Sequence, residues 1–280
     1  MPNIDLIYIN LDRAVERREA LERNFREANF SSAWKLHRFP AVLWSSDAVT
    51  NMAGPASPTL KGNWLSHIGC MRRAIESGWK SHLLIAEDDA EFSPKAEAMV
   101  NLAINDMEPD SWDILFLDLL IPRAIDMPSI FSLRQHCALK NETMMLNLEA
   151  LRHRYGFIGA GAYVVNNASL HKMFTTFNSN SIPAAYDVAL RHFIYNGDVK
   201  AFAIFPFPAT VNVHGDNPDV SHPDNWVYEC SLMHEFRRLI WIDSDLDLRR
   251  PELARDEIAP DVERFQSIFA RLLSRQYAFI

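Results

Sequence analysis

Five short apolar runs, spaced by segments of helical period, constrain the fold of this 280-residue chain more than any other feature. Leu6–Asn10, His82–Ala86, Trp112–Leu120, Gly161–Val165 and Val199–Phe205 are short, apolar and rich in residues that favour extended structure, so they read as buried strands. Leu21, Phe25 and Ala28 recur at helical spacing behind Asp12, a candidate cap. Trp64–Gly78, Ser169–Phe177 and Ala185–Tyr195 also read as helices, with Gly78 as a stop. Strands alternating with helices predict an α/β fold whose mainly parallel sheet is covered on both faces. Pro40–Pro58 is expected to be mostly loop, and Pro122–Leu148 an inserted loop with short helices.

A formal net charge of -8 argues against a duplex nucleic-acid partner, whose affinity would rest on Lys and Arg neutralising phosphates. Cys70, Cys137 and Cys230 are widely spread with no CxxC pair. They suit a reducing compartment and offer neither a zinc site nor a disulfide frame. The amino-terminal "MPNIDLIYIN" has acidic Asp5 and no basic lead-in for an export signal. No stretch reaches the ~18 consecutive apolar residues a membrane span needs. The expectation is a cytoplasmic protein, with peripheral contact at the inner membrane face left open.

The run "LLIAEDDAEF" ends a buried strand on three adjacent acids, Glu87, Asp88 and Asp89. In an open α/β sheet, ligands bind beyond the carboxyl ends of the strands. If the pleat continues, Glu87 and Asp89 point to one side and Asp88 to the other. Two carboxylates on one side suit a hard cation that also grips a diphosphate. The plainer alternative is a solvated acidic turn.

Taken in order, "IYINLDRAVERREAL", "LSHIGCMRRAI", "LLIAEDDAEF", "GAGAYVVNNASLHKM" and "AAYDVAL" resemble glycosyltransferase family 25, over roughly residues 4–205. That family comprises the lipooligosaccharide and collagen galactosyltransferases. The resemblance implies a GT-A-type nucleotide-sugar-binding fold over residues 1–210, followed by a mainly helical extension over 211–280. It implies a UDP-sugar donor, UDP-galactose foremost, and a divalent ion, Mn²⁺ or Mg²⁺. The reaction would be inverting transfer to a hydroxyl of a glycan acceptor such as a lipooligosaccharide precursor.

On this reading Glu87 and Asp89 hold the metal, while Asn10, Leu11, Asp12, Arg13, Arg17, His67 and Asp88 form the donor site. Arg13 and Arg17 lie one helical turn apart and could reach phosphate oxygens; a charged surface helix is the plain alternative. His67 matches the family's Leu-Ser-His, although the "LKGNW" lead-in departs from the usual pattern; a hydrogen-bonded core His is the alternative. Asp187 in "AAYDVAL" is the first candidate for the base that inversion requires, and Asp118 in "ILFLD" the second. Either could instead cap a helix or sit in a buried pair. His214 and His222 flank the polar stretch "HGDNPDVSHPDN" and could approach the metal or diphosphate, or stay solvated.

Glu229–Leu239 is expected to be helical. The final segment places Phe265, Ile268, Phe269, Leu272 and Leu273 on one face, with arginines elsewhere. That face could meet an anionic membrane or a partner, or simply dock on its own domain. No phosphate-cradling loop or nucleophile elbow occurs. The rival class is a degenerate transferase fold that binds a nucleotide-sugar or glycan without turning it over.

Overall fold

The computed structural model describes residues 2–216 and 233–244. Its strands are β1 (Ile4–Asn10), β2 (Trp34–Pro40), β3 (His82–Glu87), β4 (Ala90–Phe92), β5 (Ile114–Phe116), β6 (Met144–Asn147), β7 (Ala162–Val165), β8 (Ala201–Phe205) and β9 (Ala209–Val211). Seven of them form a sheet of order β2-β1-β3-β7-β5-β8-β6, and β4 pairs with β9 beside it. β2, β1 and β3 are parallel, as are β5 and β8. β7 and β6 run against their neighbours, leaving five strands pointing one way.

The helices are α1 (Val15–Glu27), α2 (Asp47–Thr50), α3 (Pro58–Glu76), α4 (Ala96–Asp106), α5 (Met127–Lys140), α6 (Leu148–Leu151), α7 (Leu170–Phe177) and α8 (Tyr186–Tyr195), with α9 over 233–240. Pleat alternation sorts the strand side chains into two cores. Ile7, Ile9, Leu83, Ile85, Tyr163 and Val165 pack with apolar residues of α3, α7 and α8. Leu6, Tyr8, Leu84, Ala86, Ala162 and Val164 pack with those of α1 and α4. A sheet buried on both faces explains why its central strands read as unbroken apolar runs.

Helix boundaries follow local chemistry. Ser57 caps α3, Pro58 opens it, and Gly78 in the left-handed region (φ +66°) lets the chain turn back after it. α1 departs from expectation: its first turn has Ala14 at the cap position without a side-chain bond. Asp12 instead pairs with Arg38 across to β2.

One strand was not read and two further expectations are corrected. β2 is an edge strand within a segment that gave no strand signal, because Lys35 and Arg38 interrupt it and its residues are mostly half-buried. Only Ile114–Phe116 of the Trp112–Leu120 run lies in the ladder. Pro122–Leu148 is no loop: it holds the fourteen-residue α5 and then β6. Pro128 sits in the first turn of α5, where a missing N–H costs nothing.

α9 docks on the domain. Phe236 and Ile240 enter the core with α3 and α8, and Arg134 of α5 donates to the carbonyls of Trp241 and Ile242. His222 and the Phe265–Leu273 face lie outside the described residues. Among the described residues no helix is long and apolar enough to cross a membrane.

Candidate active site

β3 delivers its acids to the carboxyl edge of the sheet, where the chain turns through Asp88 and Asp89 into β4. All three carboxylates line one open cleft. Leu11, Arg13 and Arg17, after β1, form one wall. Val42, Trp44, Thr59 and Asn63, from the β2–α3 connection and the start of α3, form the other. The acids are therefore not a solvated turn.

Each acid is held differently. Asp88 is buried; Asn10 Nδ2 donates to its Oδ2 at 2.7 Å, and Arg17 Nη1 lies 3.2 Å from Oδ1. Burial raises its pKa, and Asn10 and Arg17 pull against that. Glu87 accepts from Asn63 Nδ2 at 3.1 Å. Burial alone would raise its pKa, but His67, Asn63 and Arg237 outweigh it and hold the carboxyl below its ordinary value. Asp89 accepts no side-chain hydrogen bond among the described residues. Burial and then Glu87 push its pKa up to about 7. The acidic turn thus carries negative charge that its own neighbours do not fully offset.

His67 is fully buried beneath Glu87. Its Nε2 lies 3.6 Å from Glu87 Oε1, too long for a hydrogen bond and close enough for charge attraction. Nδ1 lies 3.0 Å from the Tyr163 hydroxyl, which donates to Tyr186, and the imidazole stacks on the Tyr186 ring at 4.4 Å. His67 does not face the cleft, so a direct donor contact by it is corrected to support of Glu87 from below.

The other expected residues divide clearly. Leu11, Arg13, Arg17 and Asp88 face the cleft. Asn10 does not: its amide is spent on Asp88, the Ala14 carbonyl and Arg38. Asp12 is exposed beside Arg38 and lies off the cleft. Asp118 cannot serve as a base, because it is buried in a two-pronged pair with Arg237. Asp187 opens α8, where its Oδ1 accepts from the Val188 N–H, and it lines a neighbouring crevice with Leu190 and Arg191. Burial and then the charge of Glu87 raise its pKa, so it lies within electrostatic reach of the acidic turn. His214 meets the site through its carbonyl, which accepts from Arg17 at 2.9 Å.

Reading the sequence alone missed Asn63, Trp44 and Arg237. A one-turn spacing of Thr59 and Asn63 on α3 was an available signal for the neutral wall. Nothing local marks Arg237, one of two adjacent arginines on a helix.

Among the described residues no three His, Cys, Asp or Glu side chains are grouped to hold a metal by themselves. Glu87 and Asp89 are nonetheless hard oxygen donors with surplus negative charge. They fit an ion that takes its remaining ligands from a phosphate and water, as Mg²⁺ and Mn²⁺ do.

An acid-ended strand and an arginine-bearing turn facing one cleft at the sheet's carboxyl edge belong here to a glycosyltransferase. The family model described as glycosyltransferase family 25 (LPS biosynthesis protein) matches residues 4–190. The chain belongs to that family. No curated protein matches the chain. Among solved structures, similarity is found to a glycosyltransferase involved in glycosylation of the major capsid of PBCV-1, at 10% identity and TM-score 0.35, over 63% of this chain and 66% of that one. Mouse xyloside xylosyltransferase 1 matches at 10% identity and TM-score 0.31, over 70% of each chain. The glycosyltransferase GlyE of Streptococcus pneumoniae TIGR4 matches at 8% identity and TM-score 0.30, over 86% of this chain and 62% of that one.

Proposed function

We propose that the chain transfers a sugar, galactose foremost, from a UDP-sugar to a hydroxyl of a glycan acceptor of the lipooligosaccharide type, with inversion and with a divalent ion. The proposed place of action is the cytoplasm. One observation carries the reading: Glu87, Asp88 and Asp89 open into the same cleft as Arg13 and Arg17.

Arg13 and Arg17 suit phosphate oxygens, as guanidinium groups do. Arg17 is oriented for this by Asp88 and the His214 carbonyl. Glu87 and Asp89 would hold Mn²⁺ or Mg²⁺, which would neutralise the departing diphosphate. Thr59, Asn63 and Trp44 are uncharged, and a polar-aromatic wall of this kind suits a sugar ring. Asp187 would take the proton of the acceptor hydroxyl as it attacks. Its raised pKa favours that transfer, because a stronger base accepts the proton more readily.

The test is a screen of UDP-sugars with the purified chain in Mn²⁺, reading thermal stabilisation and release of UDP on addition of glycan acceptors. Metal-dependent stabilisation with turnover supports the reading. Binding without turnover of any offered sugar would instead mark a degenerate binding module.

A further inference from the structure

The matched family region ends at residue 190, yet later segments build part of the site. Asn212 N donates to the Asp89 carbonyl at 2.8 Å, and the His214 carbonyl accepts from Arg17. Arg238 of α9 donates to the Val211 and Asn212 carbonyls, tying that helix to the same strap.

Arg237, one residue earlier, points inward. It is 7% exposed and forms the two-pronged pair with Asp118. Its guanidinium lies directly over the Cα of Gly161, where a Cβ would come within 2.9 Å of Nη2. The Gly161 carbonyl in turn accepts from the N–H of Glu87 at 2.8 Å. The cation therefore stands one peptide behind the acidic turn. Its positive charge pulls the pKa of both Glu87 and Asp89 down, against their burial.

We infer that Arg237 is a positioning residue of the donor site, supplying from the carboxy-terminal segment the buried positive charge that lets an anionic diphosphate approach three clustered carboxylates. This rests on the nucleotide-sugar reading above. Beside Arg13, Arg17 and the proposed ion, this charge further offsets the repulsion between the three acids and a diphosphate. A buried guanidinium suits the role because it stays protonated and its fork is held by one carboxylate.

A purely structural ion pair is the rival account, and charge-matched variants separate the two. Arg237→Met strands the Asp118 charge and can fail to fold, so the deciding protein is the double variant Asp118→Asn with Arg237→Met, alongside Arg237→Lys. Calorimetry with UDP and with inorganic pyrophosphate, in Mn²⁺, is read beside Tm. The double variant is expected to keep Tm near wild type while both ligands bind about tenfold or more weakly. Arg237→Lys, which keeps the charge, is expected to lose less affinity. Recovery of both Tm and affinity in the double variant would overturn the inference and leave a packing pair. Wild-type protein that binds neither UDP nor pyrophosphate would sink the donor reading, and the inference with it.

Discussion

The imidazole of His67 lies buried beneath Glu87, with 3.6 Å between Nε2 and Oε1. Below it, the hydroxyls of Tyr163 and Tyr186 continue the polar chain into an otherwise apolar core. His67→Phe would remove the imidazole that helps hold the Glu87 carboxyl below its ordinary pKa and leave the Tyr163 hydroxyl short of a partner. Mn²⁺-dependent UDP affinity is expected to fall about tenfold, and Tm by several degrees. A lowered Tm with unchanged affinity would reduce His67 to a core residue.

Asp89→Asn should abolish Mn²⁺-dependent UDP binding and leave the fold intact. Removing a carboxyl that burial and Glu87 already disfavour should leave the apo Tm unchanged or raise it. Calorimetry and a melting curve check both halves, and retained affinity would refute the metal assignment.

Asp118 and Asp187 should fail in opposite ways. Asp118→Asn leaves the buried Arg237 guanidinium short of its counter-charge, so a loss of about 3–5 kcal/mol of stability is expected. Asp187→Asn should abolish turnover while UDP affinity stays within about twofold, since its carboxylate lines the neighbouring crevice. Steady-state kinetics beside UDP titration of Asp187→Asn decides whether it is the base.

The pH response follows from the acidic turn. Asp89 has a folded-state pKa of about 7, above its ordinary 3.8. Ionising it therefore costs the folded apo protein stability as pH rises from about 4 through about 7. Metal binding needs the carboxylate, so Mn²⁺ affinity should climb with pH up to about 7 and then level. The Mn²⁺-induced rise in Tm should grow between about pH 6 and pH 8 and vanish in Asp89→Asn. A flat profile would contradict it.

Trp44 stands 57% exposed on the cleft wall, so Trp44→Ala should barely move Tm. If its ring receives a sugar, KM for one saccharide substrate should rise roughly tenfold while UDP affinity holds. Whether donor or acceptor KM moves tells which sugar it meets.

Much of the fold was legible because both faces of the sheet are covered. β1, β3 and β7 appear as apolar runs for that reason, and the acids stand out where β3 stops. β2 and α5 were not legible. An edge strand carries lysine and arginine like a loop, and a proline that opens a helix looks like one that breaks it. The site was read in part for a related reason. Arg13, Arg17 and the three acids adjoin strand ends, where position along the chain implies position at the sheet edge. Asp118 also adjoins one, yet its role depends on Arg237, 119 positions away.

The alternation of apolar strands with helices, the family and the acidic turn were determined by the sequence alone, because periodicity and local motif are properties of neighbouring residues. Only tertiary structure decided that Asp118 is bound in a buried pair, that His67 supports Glu87 from below, and that Arg237 stands behind the acids. Those assignments depend on which distant charges share a desolvated space, where an opposite charge within a few ångströms decides whether a carboxylate is a base, a ligand or a strut.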